Sequence, residues 1–172
     1  MNEEIFIIDA NSFITPHLNY YPFDFASVFW EQMEQNIMSG RIVILDMVKN
    51  EILQGDDTLS DWMKGLTIGR FHDRREPCII QHYTEILKSI QYNPCYKPQA
   101  LAEWSKGTVA DPWIIAAAKA HGYTIITFEV RNNGLSSKNP SRNPKIPNIA
   151  EEFGVKTEKL FYMMRALDFR FR

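Results

Sequence analysis

Four carboxylates are set apart by where they stand: Asp9 closes the apolar run "EIFIIDAN", Glu51 lies in "VKNEIL", Asp111 precedes Pro112 in "ADPWIIAAAKAHG", and Glu129 closes "YTIITFE". Like charges held within a few ångströms raise one another's pKa and destabilise a fold unless a cation neutralises them. If the four converge they imply a divalent metal, and an all-oxygen donor set without cysteine or histidine suits Mg²⁺ or Mn²⁺. The chemistry that follows is phosphodiester hydrolysis. With two ions about 4 Å apart, one activates the attacking water and the other stabilises the leaving 3′ oxygen.

Each acid also has a purely local explanation. Asp111 before Pro112 suits a helix N-cap followed by the favoured first-turn proline. Glu51 could be an ordinary exposed glutamate on a short amphipathic helix, and Glu129 the first solvated residue after a strand. Asp9 is the hardest to explain away, because an ionised group ending so apolar a strand is costly unless paired. Asn11 and Ser12 are placed to orient Asp9 or a water, or to form a turn, and Thr127 offers a hydroxyl beside Glu129. Arg131, Lys138, Arg142 and Lys145 follow Glu129 with no acid among them. They form a local basic patch beside a candidate anionic-substrate site, or a solvated loop. Trp113 and Phe128 are large enough to stack on a base, although aromatics beside apolar runs usually join the core.

The elements that must position these groups can be read from the pattern. "EIFIIDAN", "RIVILD" and "YTIITFE" are short, β-branched apolar runs, as expected of strands buried on both faces. After Pro22, the spacing of Phe25, Val28, Phe29, Met33, Ile37 and Met38 predicts a helix closed by Gly40. A short helix over "MVKNEILQGDD" is expected, capped by Asp46. Between about Thr58 and Lys106 the pattern predicts helices joined by loops and no strand. "PWIIAAAKAHG" predicts a helix with a proline at its head and a glycine at its end. A long loop over Arg131 to Lys145 and two tail helices, the second capped by Thr157, complete the chain. Strands alternating with helices imply an α/β domain of three layers with a mostly parallel sheet, and in such sheets functional groups collect beyond the carboxyl ends of the strands.

The chain of 172 residues is 45% hydrophobic and 13% aromatic, enough for one substantial core, and no composition shift marks a domain boundary. One domain over residues 1–172 is expected. Nineteen Lys plus Arg against 21 Asp plus Glu leave a net charge of −2, so any polyanion must be held by a local patch. Cys78 and Cys95 form no ligand pattern and suit a reducing cytosol, and His17, His72, His82 and His121 show no ligand spacing, so zinc is not expected. The acidic start Met1-Asn2-Glu3-Glu4 and the lack of a long apolar run predict a cytoplasmic protein without a membrane partner.

Taken together, "IIDANSF", "VKNEIL", "ADPWIIAAAKAHG" and "IITFE" resemble the motifs of the PIN-domain family, and "KIPNIAEEFGV" resembles a segment of a bacterial PIN-like subgroup of unknown function. The resemblance spans most of the chain. It implies a three-layer α/β/α fold and Mg²⁺- or Mn²⁺-dependent cleavage of RNA, often by the toxin of a toxin–antitoxin pair, with an antitoxin partner and frequently a homodimer. It places Asp9, Glu51 and Asp111 at the family's first three acidic positions and Asn11 and Thr127 at accompanying polar ones. Glu129 stands where many members have aspartate, one methylene shorter. Two other functions fit parts of the pattern. A PIN-like scaffold would bind RNA or protein without cutting it. A haloacid-dehalogenase-like phosphohydrolase also has an aspartate after its first strand, but its second aspartate would fall at Asn11.

Overall fold

The computed structural model describes residues 3–66 and 71–171. Positions 67–70, inside the stretch expected to be helices and loops, and residues 1, 2 and 172 lie outside the described residues. The three apolar runs form strands as expected: β1 (Phe6–Ile8), β2 (Ile42–Leu45) and β4 (Thr124–Ile126), every residue of which is buried. Two further strands, β3 (Phe71–His72) and β5 (Thr157–Glu158), extend the sheet to five, in the order β3-β2-β1-β4-β5, with all four pairings parallel. β3 corrects the expectation of no strand between Thr58 and Lys106. β5 corrects the cap at Thr157, since the last helix has Lys159 as its N-cap residue and no side-chain cap. Two residues are too short to show an alternating pattern, and only the neighbouring strand reveals them.

Helices supply the crossovers that parallel pairing demands. The chain moves from β1 to β2 to β3 in one direction across the sheet and from β3 past β1 to β4 and β5 in the other. Right-handed crossovers therefore put the intervening helices on opposite faces. One layer contains α2 (Ser27–Met38), α3 (Asp46–Leu53) and α4 (Thr58–Gly65). The other contains α5 (Pro77–Tyr92), α6 (Pro98–Trp104), α7 (Asp111–His121) and α8 (Ile146–Glu152), with α5 packed along α7. The last helix, α9 (Leu160–Ala166), joins the first layer, where Phe169 meets Phe29 and Tyr162 meets Phe6 edge-on. The result is the expected three-layer α/β/α fold around a parallel sheet.

Local chemistry explains the ends that matter for the site. α7 is almost uncharged because Ile114 to Ala118 are all buried against the sheet and α5. It ends at Gly122, whose φ of 74° is a conformation that only glycine adopts without strain, and whose N–H returns to the Ala118 carbonyl. The apolar spacing expected for α2 is only partly a core face: Phe29, Trp30, Met33 and Ile37 are buried and Val28 and Met38 exposed, while Phe25, also exposed, lies in the turn before the helix. In α9, Leu160, Met163 and Met164 turn inward and Phe161 outward. Among the described residues no helix is long and apolar enough to cross a membrane.

Candidate active site

All four carboxylates lie beyond the carboxyl ends of β1, β2 and β4. Asp9 follows β1 directly, and its N–H continues the ladder by donating to the Ile126 carbonyl (3.1 Å). The next residues turn at once into a short helix, α1 (Asn11–Thr15), which runs into a π-helical turn over Pro16–Tyr20. Glu51 is carried by α3, which begins the moment β2 ends. Asp111 is the first residue of α7. It does not cap that helix, because the N-cap residue is Ala110 and no side-chain cap bond forms, so its carboxylate is free of the local role its position suggested. Asp46 likewise is the first residue of α3 rather than its cap, and its Oδ1 accepts from the Arg74 N–H (3.3 Å).

Glu129 lies three residues beyond β4, in the loop. Its Oε2 accepts the N–H of Ile146 at the start of α8 (2.7 Å), and its Oε1 takes an ion pair from Lys145 (3.4 Å). The fourth acid thus holds a helix end while facing the other three. The backbone leading to it is pinned as well: Lys159 Nζ donates to the carbonyls of Thr127 (3.2 Å) and Glu129.

The acids feel one another. Burial drives the Asp9 carboxyl up to about 6, and the negative charges of Glu129 and Glu51 push in the same direction, against hydrogen bonds from the Thr127 hydroxyl and the Asn11 backbone N–H. Burial likewise drives Asp111 up to about 7, with Glu129, Asp9 and Glu51 all adding to it and only Lys145 opposing. Glu51 sits on the exposed side of α3, yet partial desolvation raises its carboxyl too. Two carboxyls raised this far, in a fold whose other acids are mostly exposed, mark a candidate functional site.

The accompanying polar residues divide. Thr127 Oγ1 donates to Asp9 Oδ2 (3.0 Å) while accepting the Glu129 N–H (3.1 Å), so one hydroxyl ties the first and fourth acids together. Replacing it with valine removes the donor that opposes burial, and the Asp9 carboxyl is expected to rise further above about 6, read from the pH dependence of its carbon-13 carboxyl shift. An unchanged midpoint would contradict that role for Thr127. Ser12 is fully buried and directs its hydroxyl to the Ile126 carbonyl (3.2 Å) instead of to Asp9, fastening α1 to the end of β4. Asn11 is exposed and contributes its backbone N–H to Asp9.

The basic loop is more ordered than its composition suggested. The buried Asn148 of α8 accepts the Asn132 N–H (2.9 Å) and donates to the Asn132 carbonyl (3.1 Å), and Lys97 and Ser141 fasten the loop to the segment before α6. Arg131 is paired with Glu151 and Lys145 with Glu129, while Lys138 and Arg142 are exposed. Trp113 is stacked on Tyr83 at 3.6 Å between ring centres and Phe128 lies beside Tyr20, so both aromatics already have partners. One cation went unnoticed in the sequence. Arg74 lines a groove of about 290 Å³ with Glu51, Asn50, Gln54 and Thr108, close to the ring of Trp113. Its only sequence signal is the pair Arg74-Arg75 just ahead of the Pro77 that opens α5.

Comparison with known proteins adds the following. A family model described as "Domain of unknown function (DUF4411)" matches residues 6–171. No curated protein matches the sequence. Among solved structures, the crystal structure of VapBC2 from Rickettsia felis bound to a DNA fragment from their promoter aligns with 14% identity and a TM-score of 0.49, covering 90% of this chain and 98% of that one.

Proposed function

The chain belongs to the DUF4411 family, and from that premise we propose that it is a metal-dependent endoribonuclease whose site is Asp9, Glu51, Asp111 and Glu129. One observation supports this reading: four carboxylates, from the end of β1, α3, α7 and the loop after β4, lie at one end of a parallel sheet, where burial first and the neighbouring acids second raise the two most buried ones. That donor set fits a hard divalent cation. No imidazole or thiol is present to select a softer metal, and the charge these groups resist carrying alone is what a cation makes tolerable. A bound Mg²⁺ or Mn²⁺ would polarise the phosphodiester and lower the pKa of water.

The chain's own groups supply the rest. Asp9, held by Thr127 and the Asn11 N–H, and Asp111, fixed by the first turn of a buried helix, are the rigid members. Glu51 approaches from the exposed side of α3. Glu129 is shared with Ile146 and Lys145, which favours one tightly held ion centred on Asp9 and Asp111 over two of equal occupancy. Lys138, Arg142 and Arg74 would hold flanking phosphates, with Arg131 and Lys145 joining by exchanging their present carboxylate partners. The resemblance to PIN domains extends the proposal to a toxin that an antitoxin would neutralise.

Incubation of the pure protein with single-stranded RNA and Mn²⁺ tests the reading. Cleavage is expected, is stopped by excess chelator and is absent in Asp9→Asn. Cutting that survives either change would defeat it. Tight Mn²⁺ binding without cleavage of any RNA would leave the scaffold reading in its place.

A further inference from the structure

A second cluster of ligating side chains lies away from the acids, at the far end of α7. Its members are His72 at the end of β3, Glu76 just before α5, and His121, the last residue of α7. Asp111 and His121 are the two ends of the eleven-residue α7, about 15 Å apart along the axis, so the two groups cannot share an ion. Among the described residues this is the one set of three potential metal ligands whose donor atoms all lie within 4.8 Å of one another; no three of the four acids meet that distance.

The geometry is specific. Glu76 presents both oxygens to imidazoles: Oε1 stands 2.7 Å from His72 Nδ1 and Oε2 stands 2.9 Å from His121 Nε2. The two imidazole rings are stacked with centres 4.4 Å apart, so both nitrogens address the same small volume. His72 is buried, while the side chains of Glu76 and His121 keep 33% and 27% of their exposure, which leaves a way in from solvent. The other nitrogen of His72, Nε2, lies 2.9 Å from the Tyr123 hydroxyl. That contact fixes the ring as outer hydrogen bonds fix metal-bound histidines: with Nδ1 committed to an ion, Nε2 carries the proton and donates it to Tyr123.

We propose that His72, Glu76 and His121 form a zinc site. Two imidazoles and one carboxylate are a donor set for Zn²⁺ and not for Mg²⁺, whose preference is for oxygen. Three protein ligands leave a fourth tetrahedral position for water. Cys78 Sγ is 4.0 Å from Glu76 Oε2 but is not part of the close-set trio. The site joins the exit of β3, the head of α5 and the tail of α7, so the ion would tie an edge strand to the helix that carries Asp111 at its other end. This revises the expectation that the histidines lack ligand spacing: the pair His72 and Glu76 is four apart, but the third ligand comes from 45 residues further on, which no local pattern reveals.

The test uses the full chain in an Asp111→Asn background, so that binding at the acids is weakened independently. After stripping with chelator and dialysis, titration with Zn²⁺ alone is followed by calorimetry and by the thermal midpoint, and Co²⁺ provides a visible ligand-field spectrum. One equivalent of Zn²⁺ is expected to bind and raise the midpoint, with Mg²⁺ at the same concentration doing neither, and His121→Ala is expected to weaken binding by at least about tenfold. Glu76→Gln serves as a second variant, since Glu76 makes no side-chain cap to α5. Absence of zinc binding, or zinc affinity in His121→Ala and Glu76→Gln equal to that of the Asp111→Asn protein itself, would overturn the site. Neither result bears on RNA cleavage by the four acids, which the Asp9→Asn comparison decides separately.

Discussion

Asparagine at position 111 is expected to lower Mn²⁺-dependent RNA cleavage by on the order of 10²–10³-fold, the usual cost of deleting one preorganised electrostatic group. The substitution is a clean one. Asp111 makes no capping bond to α7, and asparagine has the same shape and keeps the oxygen that could remain on an ion, so the helix and its buried face against α5 have no reason to move. What is lost is one negative charge at the most crowded point of the site, where Glu129, Asp9 and Glu51 all act on the same carboxyl. Circular dichroism should be unchanged, Mn²⁺ affinity should fall, and single-turnover cleavage should fall with it. Full activity with intact folding would place the chemistry elsewhere.

The second large effect is on stability, in the absence of metal. In the unfolded chain an aspartate titrates near 3.8, while in the folded protein Asp9 holds its proton up to about 6 and Asp111 up to about 7. Between these limits the folded state binds more protons than the unfolded one, so the contribution of these groups is fully present below pH 4 and is lost as pH rises through 6 and 7. At about 1.4 kcal/mol per pH unit per proton, metal-free protein should lose on the order of 4 kcal/mol between pH 5 and pH 8. Asp111→Asn should remove much of that slope, making the variant more stable than the parent at pH 8 by on the order of 4 kcal/mol and about equal to it at pH 4. Urea denaturation across pH in chelator measures both. Mn²⁺ should restore the parent selectively, by about 2.7 kcal/mol at a hundredfold excess over its dissociation constant. A pH-independent difference between the two proteins would mean that burial and the neighbouring acids do not raise these carboxyls as described.

How much of this could be read from the sequence depended on whether the determining contacts are local. β1, β2, β4 and α7 were legible because each is an unbroken apolar run with clear punctuation, and the convergence of the four acids followed from one rule about the ends of parallel strands. β3 and β5 were not, because a two-residue strand exists only through its neighbour. Capping at Asp46, Asp111 and Thr157 was misjudged for a related reason. In each case the helix begins where the preceding strand or loop delivers the chain, and the residue that looked like a cap is displaced by one or two positions. The partners of Glu129 and Ser12 were hidden because they lie 17 and 114 residues away. Arg74 and the trio around Glu76 belong to the same class: charges and ligands assembled from separate segments leave no periodic trace.

The outermost strand β5 bears on how this protein can meet others. A long, flat strand at the rim of a sheet offers unpaired amides and carbonyls to any extended peptide, including a copy of itself. At the β5 rim the strand is only two residues long, Thr157–Glu158, and passes straight into α9. That edge offers too little free backbone for a visiting strand to zip onto. Recognition of a protein partner on that side would be written in side chains, and the same brevity guards that rim of a sheet this rich in isoleucine against fibrous self-association.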